Sequence, residues 1–529
     1  MRSTTPCLVF LLSTLSLPAI AAVEDPDWTE TVFSINRDSP DDTGQKSHTG
    51  LAWAPDGSDR LFVLEKNGRV RVLSGALTTA SPSWSTFATM DPLYDGGECG
   101  LIGMAFDPDF VGNRFIYFFV TVGSNEQQII RYRDSGNMGT SRSVILGNLP
   151  TSGGVHNGGG IGFAGDGRLY WSIGDLGSGT GSDADLTSLA SKVGRADRDG
   201  SAPADNPFDD GVGPNNEYVY ARGFRNPFTM QIQPSTGRIW LDVVGTGYEQ
   251  VFLVGRGDHG GYSTYENNQP AGFLAPTIAY RTNGVDVRNL TDAVRNGGVA
   301  TFTTVAAHGF RVGGTLDIAG VANASFNQAG AHVASVPSTT TFTVLQSGPD
   351  ASSSGGEATT LEQGGCLTGA AFYDATLAPA EYRGNYFYGD CNSGRIMRAR
   401  IDPVGNSVIG IEHWANGIPG QVGIASGPDG ALYYIGNFTN TIYRAAFNTA
   451  AQGRHRQPEP AHRRRRQGGD DGQSCDGTVS AGRGVGRAQR RRHRRGGLRR
   501  SDVDVHAREL DAATGRAILR CGRCRHGRR

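Results

Sequence analysis

Apolar positions fall in short runs separated by polar turns, and one such pattern repeats. A turn rich in Pro, Asp and Gly is followed by an aromatic-aliphatic stretch. It occurs at residues 55–64 (PDGSDRLFVL), 107–117 (DPDFVGNRFIY), 165–173 (GDGRLYWSI) and 234–241 (PSTGRIWL). Two later copies lie at 382–389 (YRGNYFYG) and 428–435 (PDGALYYI). The pattern reads as a tight turn feeding a central strand whose large side chains pack between sheets. Six copies predict six four-stranded blades around an axis, an all-β, six-bladed β-propeller over residues 22–448.

One interval departs from the series. From Pro234 to Tyr382 is 148 residues, whereas the other copies are spaced 46 to 69 apart. Residues 296–360 fill the excess with alternating Thr/Val stretches and Gly turns, which predicts a small β module inserted in a propeller loop. Its HGF…IAG…FN…TTFTV pattern resembles a recurrent bacterial and phage-associated β module that binds or decorates. His308, beside Gly309, reads as a turn residue rather than a ligand.

Composition supports the strand reading. Glycine occupies 77 of 529 positions, about twice the usual ~7% share, and Gly weakens helices by about 1 kcal/mol relative to Ala. The chain ends differ from the body. Residues 1–21 carry Arg2, an apolar stretch from Cys7 to Leu17 and the small-residue site Ala19-Ile20-Ala21, the pattern of a cleaved export signal. The stretch is shorter than the roughly 20 residues that span a bilayer. A periplasmic or secreted protein with no transmembrane segment is expected.

The net charge of −1 conceals two unlike segments. Residues 451–529 hold 22 Arg, no Lys and eight acids, a net of +14, while residues 1–450 carry 28 basic and 43 acidic side chains. Residues 449–529 read as a disordered Arg-rich tail produced by a frame-shifted coding end, with a native disordered tail and a polyanion-binding arm as the alternatives. An acidic, exported body points away from nucleic acid as a partner. Of the cysteines, Cys366 and Cys391 flank apolar runs, and an oxidising compartment would permit them to pair, leaving Cys99 over. Cys521 and Cys524 have C-x-x-C spacing without a supporting context.

Several polar residues exceed what a propeller needs for packing. His156 and Asn157 precede a run of glycines, and Asp175 ends the following strand, where it could orient the imidazole of a general base. Arg225, before Asn226 and Pro227, offers a planar fork to a carboxylate or quinone oxygen. Glu98 stands in a Gly-rich turn. Val244, Gly245, Glu249 and Gln250 combine loop carbonyls, a carboxylate and an amide, the oxygen donors that Ca²⁺ takes.

In order along the chain, these motifs resemble the soluble PQQ-dependent glucose/sorbosone (aldose sugar) dehydrogenase family, including its hedgehog-interacting-protein-like branch. The resemblance covers about residues 46–445 outside the module. It rests on ECGLIGMAFDPDF (98–110), HNGG (156–159) with GDGRLY (165–170) and IGD (173–175), DNPF (205–208), GFRNPF (223–228) and YEQV (248–251). It implies a six-bladed propeller that oxidises an aldose to its lactone with PQQ and Ca²⁺ as cofactors and an external electron acceptor. His156 would be the general base, Asp175 its orienting carboxylate, and Arg225 the cation at the PQQ quinone oxygens. Glu98, Asn157 and Asn226 would contact cofactor or sugar, and Val244, Gly245, Glu249 and Gln250 fall at the family's calcium loop. Three departures stand out. Gly160 occupies a position where many catalytic members have Arg, Gln250 replaces an acid, and residues 365–373 lack the basic side chains that hold PQQ carboxylates. The alternatives are a non-catalytic Ca²⁺-dependent propeller that binds glycan or protein, and a Ca²⁺-dependent lactone hydrolase. Oligomeric state is not legible.

Overall fold

Each of the six repeat copies becomes the second strand of an antiparallel blade, four-stranded in five blades and extended in blade five by a fifth strand, Ala22–Val23. The computed structural model describes residues 22–35, 47–79, 82–179, 183–209, 211 and 216–448. The expected export signal, the Arg-rich tail and the pair Cys521/Cys524 lie outside the described residues. Blade one comprises His48–Trp53, Arg60–Glu65, Arg69–Ser74 and Ser83–Thr89. Blade two comprises Leu101–Phe106, Phe115–Gly123, Glu126–Ser135 and Met138–Leu149. Blade three comprises Ile161–Phe163, Leu169–Ile173, Lys192–Ala196 and Val219–Arg222. Blade four comprises Asn226–Ile232, Ile239–Val244, Tyr248–Val254 and Ile278–Arg281. Blade five holds Leu367–Tyr373, Asn385–Asp390, Arg395–Ile401 and Val408–Asn416.

Blade six takes Gln421–Ser426, Leu432–Gly436 and Thr441–Phe447 from the end of the chain, and its outer strand, Trp28–Ile35, from the beginning. The first strand of every blade touches that of the next, and blade six meets blade one, so the ring is closed. Those six strands line a central channel of about 430 Å³.

The second strands are buried along nearly their whole length, as the aromatic repeat predicts: Phe62, Tyr117, Trp171, Trp240, Tyr386 and Tyr433 are all essentially inaccessible. Trp28 shows how the ring is locked. It is 5% exposed and packs edge-on against Tyr373, Trp414 and Phe447, joining blade five to the closing strand of blade six. Cys366 and Cys391 form a disulfide across the start of blade five, and Cys99 is free and buried.

The inserted module is a seven-stranded sheet between blades four and five. It runs from strand Val287–Asn296 to strand Glu357–Thr360, so its first strand lies ahead of the boundary expected at residue 296. Its own core contains Phe302, Phe326, Phe342 and Val333. His308 is buried there. Its Nδ1 accepts the Phe310 N–H at 2.9 Å and its Nε2 lies 3.3 Å from the Thr341 carbonyl, so both ring nitrogens are engaged. Among the described residues, no helix is long and apolar enough to cross a membrane.

Candidate active site

In an antiparallel meander the first strand starts, and the second strand ends, at the same end of the blade. The chemistry-bearing residues collect at that end. Glu98 lies just before the first strand of blade two, His156 in the connection entering blade three, and Arg225 and Asn226 at the entry to blade four. Asp175 follows the second strand of blade three.

His156 has a backbone φ of 55°, in the left-handed region that costs a residue with a Cβ. Two features hold it there. Its N–H donates to Glu98 Oε2 at 2.8 Å, and the same oxygen accepts Asn226 Nδ2 at 3.1 Å. The glycines around it are required by close backbone approach to the protein itself. A Cβ at Gly158 (φ 75°) would sit 2.2 Å from the Ser172 carbonyl, and one at Gly174 2.3 Å from the His156 carbonyl. Gly160 is equally constrained: a Cβ there would lie 2.6 Å from Ser172 Oγ and 2.8 Å from Met230 Cβ. An Arg at this position has no room, which accounts for one departure from the family pattern.

The imidazole is oriented by Asp175. Nδ1 lies 2.5 Å from Asp175 Oδ1, and the carboxylate also accepts Gly177 N–H, Gly179 N–H and the Tyr262 hydroxyl at 3.1, 3.0 and 3.0 Å. Burial raises the Asp175 pKa, but the hydrogen bonds from His156, Gly177 and Tyr262 outweigh it and hold the carboxyl below its usual range. An ionised Asp175 fixes the proton on Nδ1 and leaves Nε2 as the acceptor. Nε2 has no hydrogen-bond partner among the described residues.

Tyr262 is a site residue that the repeat pattern did not disclose. The long connection after the third strand of blade four runs beside blade three, with a parallel bridge between Arg222 and His259, and delivers Tyr262 to Asp175. Burial, followed by the Asp175 charge, pushes its hydroxyl up to about 12, so it acts as a donor, and Arg225 pulls the other way. The Arg225 guanidinium also donates to the Val244 carbonyl at 3.2 Å.

Not every expected residue reaches the site surface. Asn157 is fully buried beneath it. Its Oδ1 accepts the Thr151 hydroxyl, and its Nδ2 has no partner. Asn226 is 3% exposed and braces Gly158 N–H and Glu98. Asn226 thus braces the His156 loop, whereas the Asn157 side chain meets only the Thr151 hydroxyl among the described residues.

The expected calcium set is also dispersed. Glu249 and Gln250 are neighbours on one strand, so their side chains point to opposite faces. Glu249 accepts Gly245 N–H, Leu367 N–H and the Thr282 hydroxyl, and burial, with Asp390 adding to it, raises its carboxyl to about 7. The Val244 carbonyl is engaged by Arg225. Among the described residues no cluster of three His, Cys, Asp or Glu side chains could hold a metal.

Beside Glu98 opens a cavity of about 460 Å³ lined by Lys66, Asn67, Asp95, Phe228, Cys391, Asn437 and Phe438, among others. Phe438 is 77% exposed, an uncovered aromatic face in the same cavity wall as Lys66, whose ammonium donates to the Asp95 carbonyl. Lys66, Asn67, Asn437 and Phe438 all occupy turns that follow second strands, the position Asp175 holds in blade three.

Residues 46–272 match the family model described as Glucose / Sorbosone dehydrogenase. The chain is 27% identical over 315 residues to quinoprotein glucose dehydrogenase B of Acinetobacter calcoaceticus, covering 50% of this chain and 63% of the relative. It is 26% identical over 220 residues to aldose sugar dehydrogenase YliI of Escherichia coli, covering 40% of this chain and 57% of the relative. The chain thus spans less than two-thirds of these relatives' lengths. A PQQ-bound aldose sugar dehydrogenase from Streptomyces coelicolor has the same fold, with a TM-score of 0.51 at 18% identity, covering 79% of this chain and 98% of that one.

Proposed function

We propose that the protein is an exported, PQQ-dependent dehydrogenase that oxidises an aldose sugar to its lactone. The observation that carries this reading is the imidazole of His156, tied at Nδ1 to an ionised, buried Asp175 and left open at Nε2. The cavity beside Glu98 suits a flat, anionic aromatic cofactor: Phe438 and Phe228 offer ring surfaces, Lys66 a positive charge, and Asn67 and Asn437 amides. PQQ, when bound, supplies the two-electron acceptor for the hydride of the sugar C1–H bond. His156 Nε2 takes the proton of the anomeric hydroxyl while that bond breaks, and the C1–O bond becomes the lactone carbonyl. The resulting imidazolium is stabilised by Asp175. Arg225 is the cation placed to offset developing negative charge.

Calcium is the second cofactor of the proposal. Of the four residues expected to hold it, Glu249 is the one carboxylate, and its oxygens already accept donors from Gly245, Thr282 and Leu367, so these four residues do not by themselves make a cation site. Gln250 faces away, and no step of the chemistry is routed through the metal. Export is supported by the Cys366–Cys391 disulfide, since such bonds persist in oxidising compartments.

Reconstitution with PQQ and Ca²⁺, followed by dye reduction with a panel of aldoses, tests the proposal. His156→Ala is expected to lower kcat about 10²- to 10⁴-fold while PQQ still binds by absorbance. Equal turnover by wild type and His156→Ala would overturn the role of the base.

A further inference from the structure

The inserted module does not stand apart from the site. Its loop is pinned to the connection that carries Tyr262. Asn267 Nδ2 donates to the Gly309 carbonyl at 3.1 Å, and Arg311 donates to Asn267 Oδ1 and to the Asn267 carbonyl, both at 2.9 Å. A second anchor lies on blade five, where the Thr315 hydroxyl meets the Ile411 carbonyl. Between module and propeller opens a cleft of about 620 Å³. It is bounded on the propeller side by Gly179, Tyr262, Ser263 and Asn268, and on the module side by Arg288 and Ala307. Tyr262 and Gly179 are the groups whose hydroxyl and amide hold Asp175, so the cleft shares two residues with the hydrogen-bond shell of the carboxylate that orients His156.

The lining selects a ligand class. The charged groups are committed: Glu266 accepts the Thr246 and Gly247 amides, and Arg288 donates to Asp286 and to the His308 carbonyl. The Ser263, Thr264 and Asn268 side chains make no hydrogen bond among the described residues. What remains is neutral hydrogen-bonding capacity beside the tyrosines, the surface that hydroxyl-rich, uncharged rings fit. The volume lies within the ~300–1,000 Å³ range of pockets for drug-sized ligands, a size that admits further sugar units beyond the reacting one.

We propose that this cleft is a glycan subsite, and that the preferred substrate is a di- or oligosaccharide whose reducing end reaches His156 while its remaining units lie against the module. This rests on the dehydrogenase reading above. The test uses Ala307→Trp, which fills the cleft from an exposed position, with Val404→Trp, on an exposed turn of blade five, as the control. The ratio of kcat/KM for cellotriose or maltotriose to that for glucose is expected to exceed one in the wild type. It should fall at least about tenfold in Ala307→Trp, a loss of about 1.4 kcal/mol, and hold in Val404→Trp. Calorimetric titration of the same trisaccharides into the PQQ-free protein gives a readout independent of turnover. Weaker binding to Ala307→Trp supports the subsite even if no sugar is oxidised. An unchanged ratio, or no trisaccharide binding by the wild type, overturns it.

Discussion

His156 pairs an unfavourable backbone conformation with a fixed side chain, and three neighbours account for both. Glu98 and Asn226 hold the loop, and Asp175 holds the ring. The division of labour is testable. Asp175→Asn removes the anion that selects the Nδ1–H tautomer and is expected to lower kcat by about 10²- to 10⁴-fold without preventing PQQ binding. Tyr262→Phe removes one of the hydrogen bonds that keep the Asp175 pKa low. The carboxyl then protonates at higher pH, so the acid limb of the kcat/KM profile should move upward in pH, with kcat reduced on the order of tenfold. A profile superimposable on the wild type would show that Tyr262 does not act through Asp175. His156, Asp175 and Arg225 were singled out in the sequence because they stand in the HNGG, IGD and GFRNPF motifs. Tyr262 was not, because its connection follows no repeat and reaches blade three only through tertiary pairing. The burial of Asn157 and Asn226 was not legible for a related reason: a polar side chain inside a Gly-rich motif gives no sign of whether it faces the surface or the protein interior.

At the scale of elements, the closing strand Trp28–Ile35 links the two ends of the propeller chain. Glu30, on this strand, accepts the Tyr434 hydroxyl, and burial raises its pKa from 4.5 to about 6. Between those values the folded state retains a proton that the unfolded chain has released. The contribution to stability is therefore complete below about pH 4.5 and is lost as pH rises through about 6. Glu30→Gln carries no such term, so its melting temperature relative to wild type should climb between pH 4.5 and 6.5 and level off above. A difference constant with pH would contradict this account. The six blades were readable because each central strand repeats one turn-plus-aromatic phrase, and period is a property a sequence displays openly. The closing strand was not readable, since a single strand paired with the far end of the chain leaves no periodic trace. The module announced itself by its length and texture. That its Arg311 secures the Tyr262 loop is a contact between distant segments and had no sequence signal.

Taken whole, the acidic body and the arginine-rich end make the overall charge of −1 uninformative about the working surface. Local charge is arranged differently. Lys66 and Arg225 stand near the channel mouth, while Glu249 and Asp390 are buried at the rim of blades four and five. The ring geometry that brings first strands and second-strand turns to one end gathers residues of blades one, two, four, five and six around one cavity, with His156 of blade three bonded to Glu98 in its wall. The measurement that bears most directly on this assembly is titration of the purified protein with PQQ, followed by absorbance, with aldose then added to the saturated sample. Saturable binding, followed by sugar-dependent bleaching of the oxidised cofactor that His156→Ala slows by at least about 10²-fold, is the predicted result. PQQ that fails to bind in the presence of Ca²⁺, or bound PQQ that no aldose reduces, would contradict it.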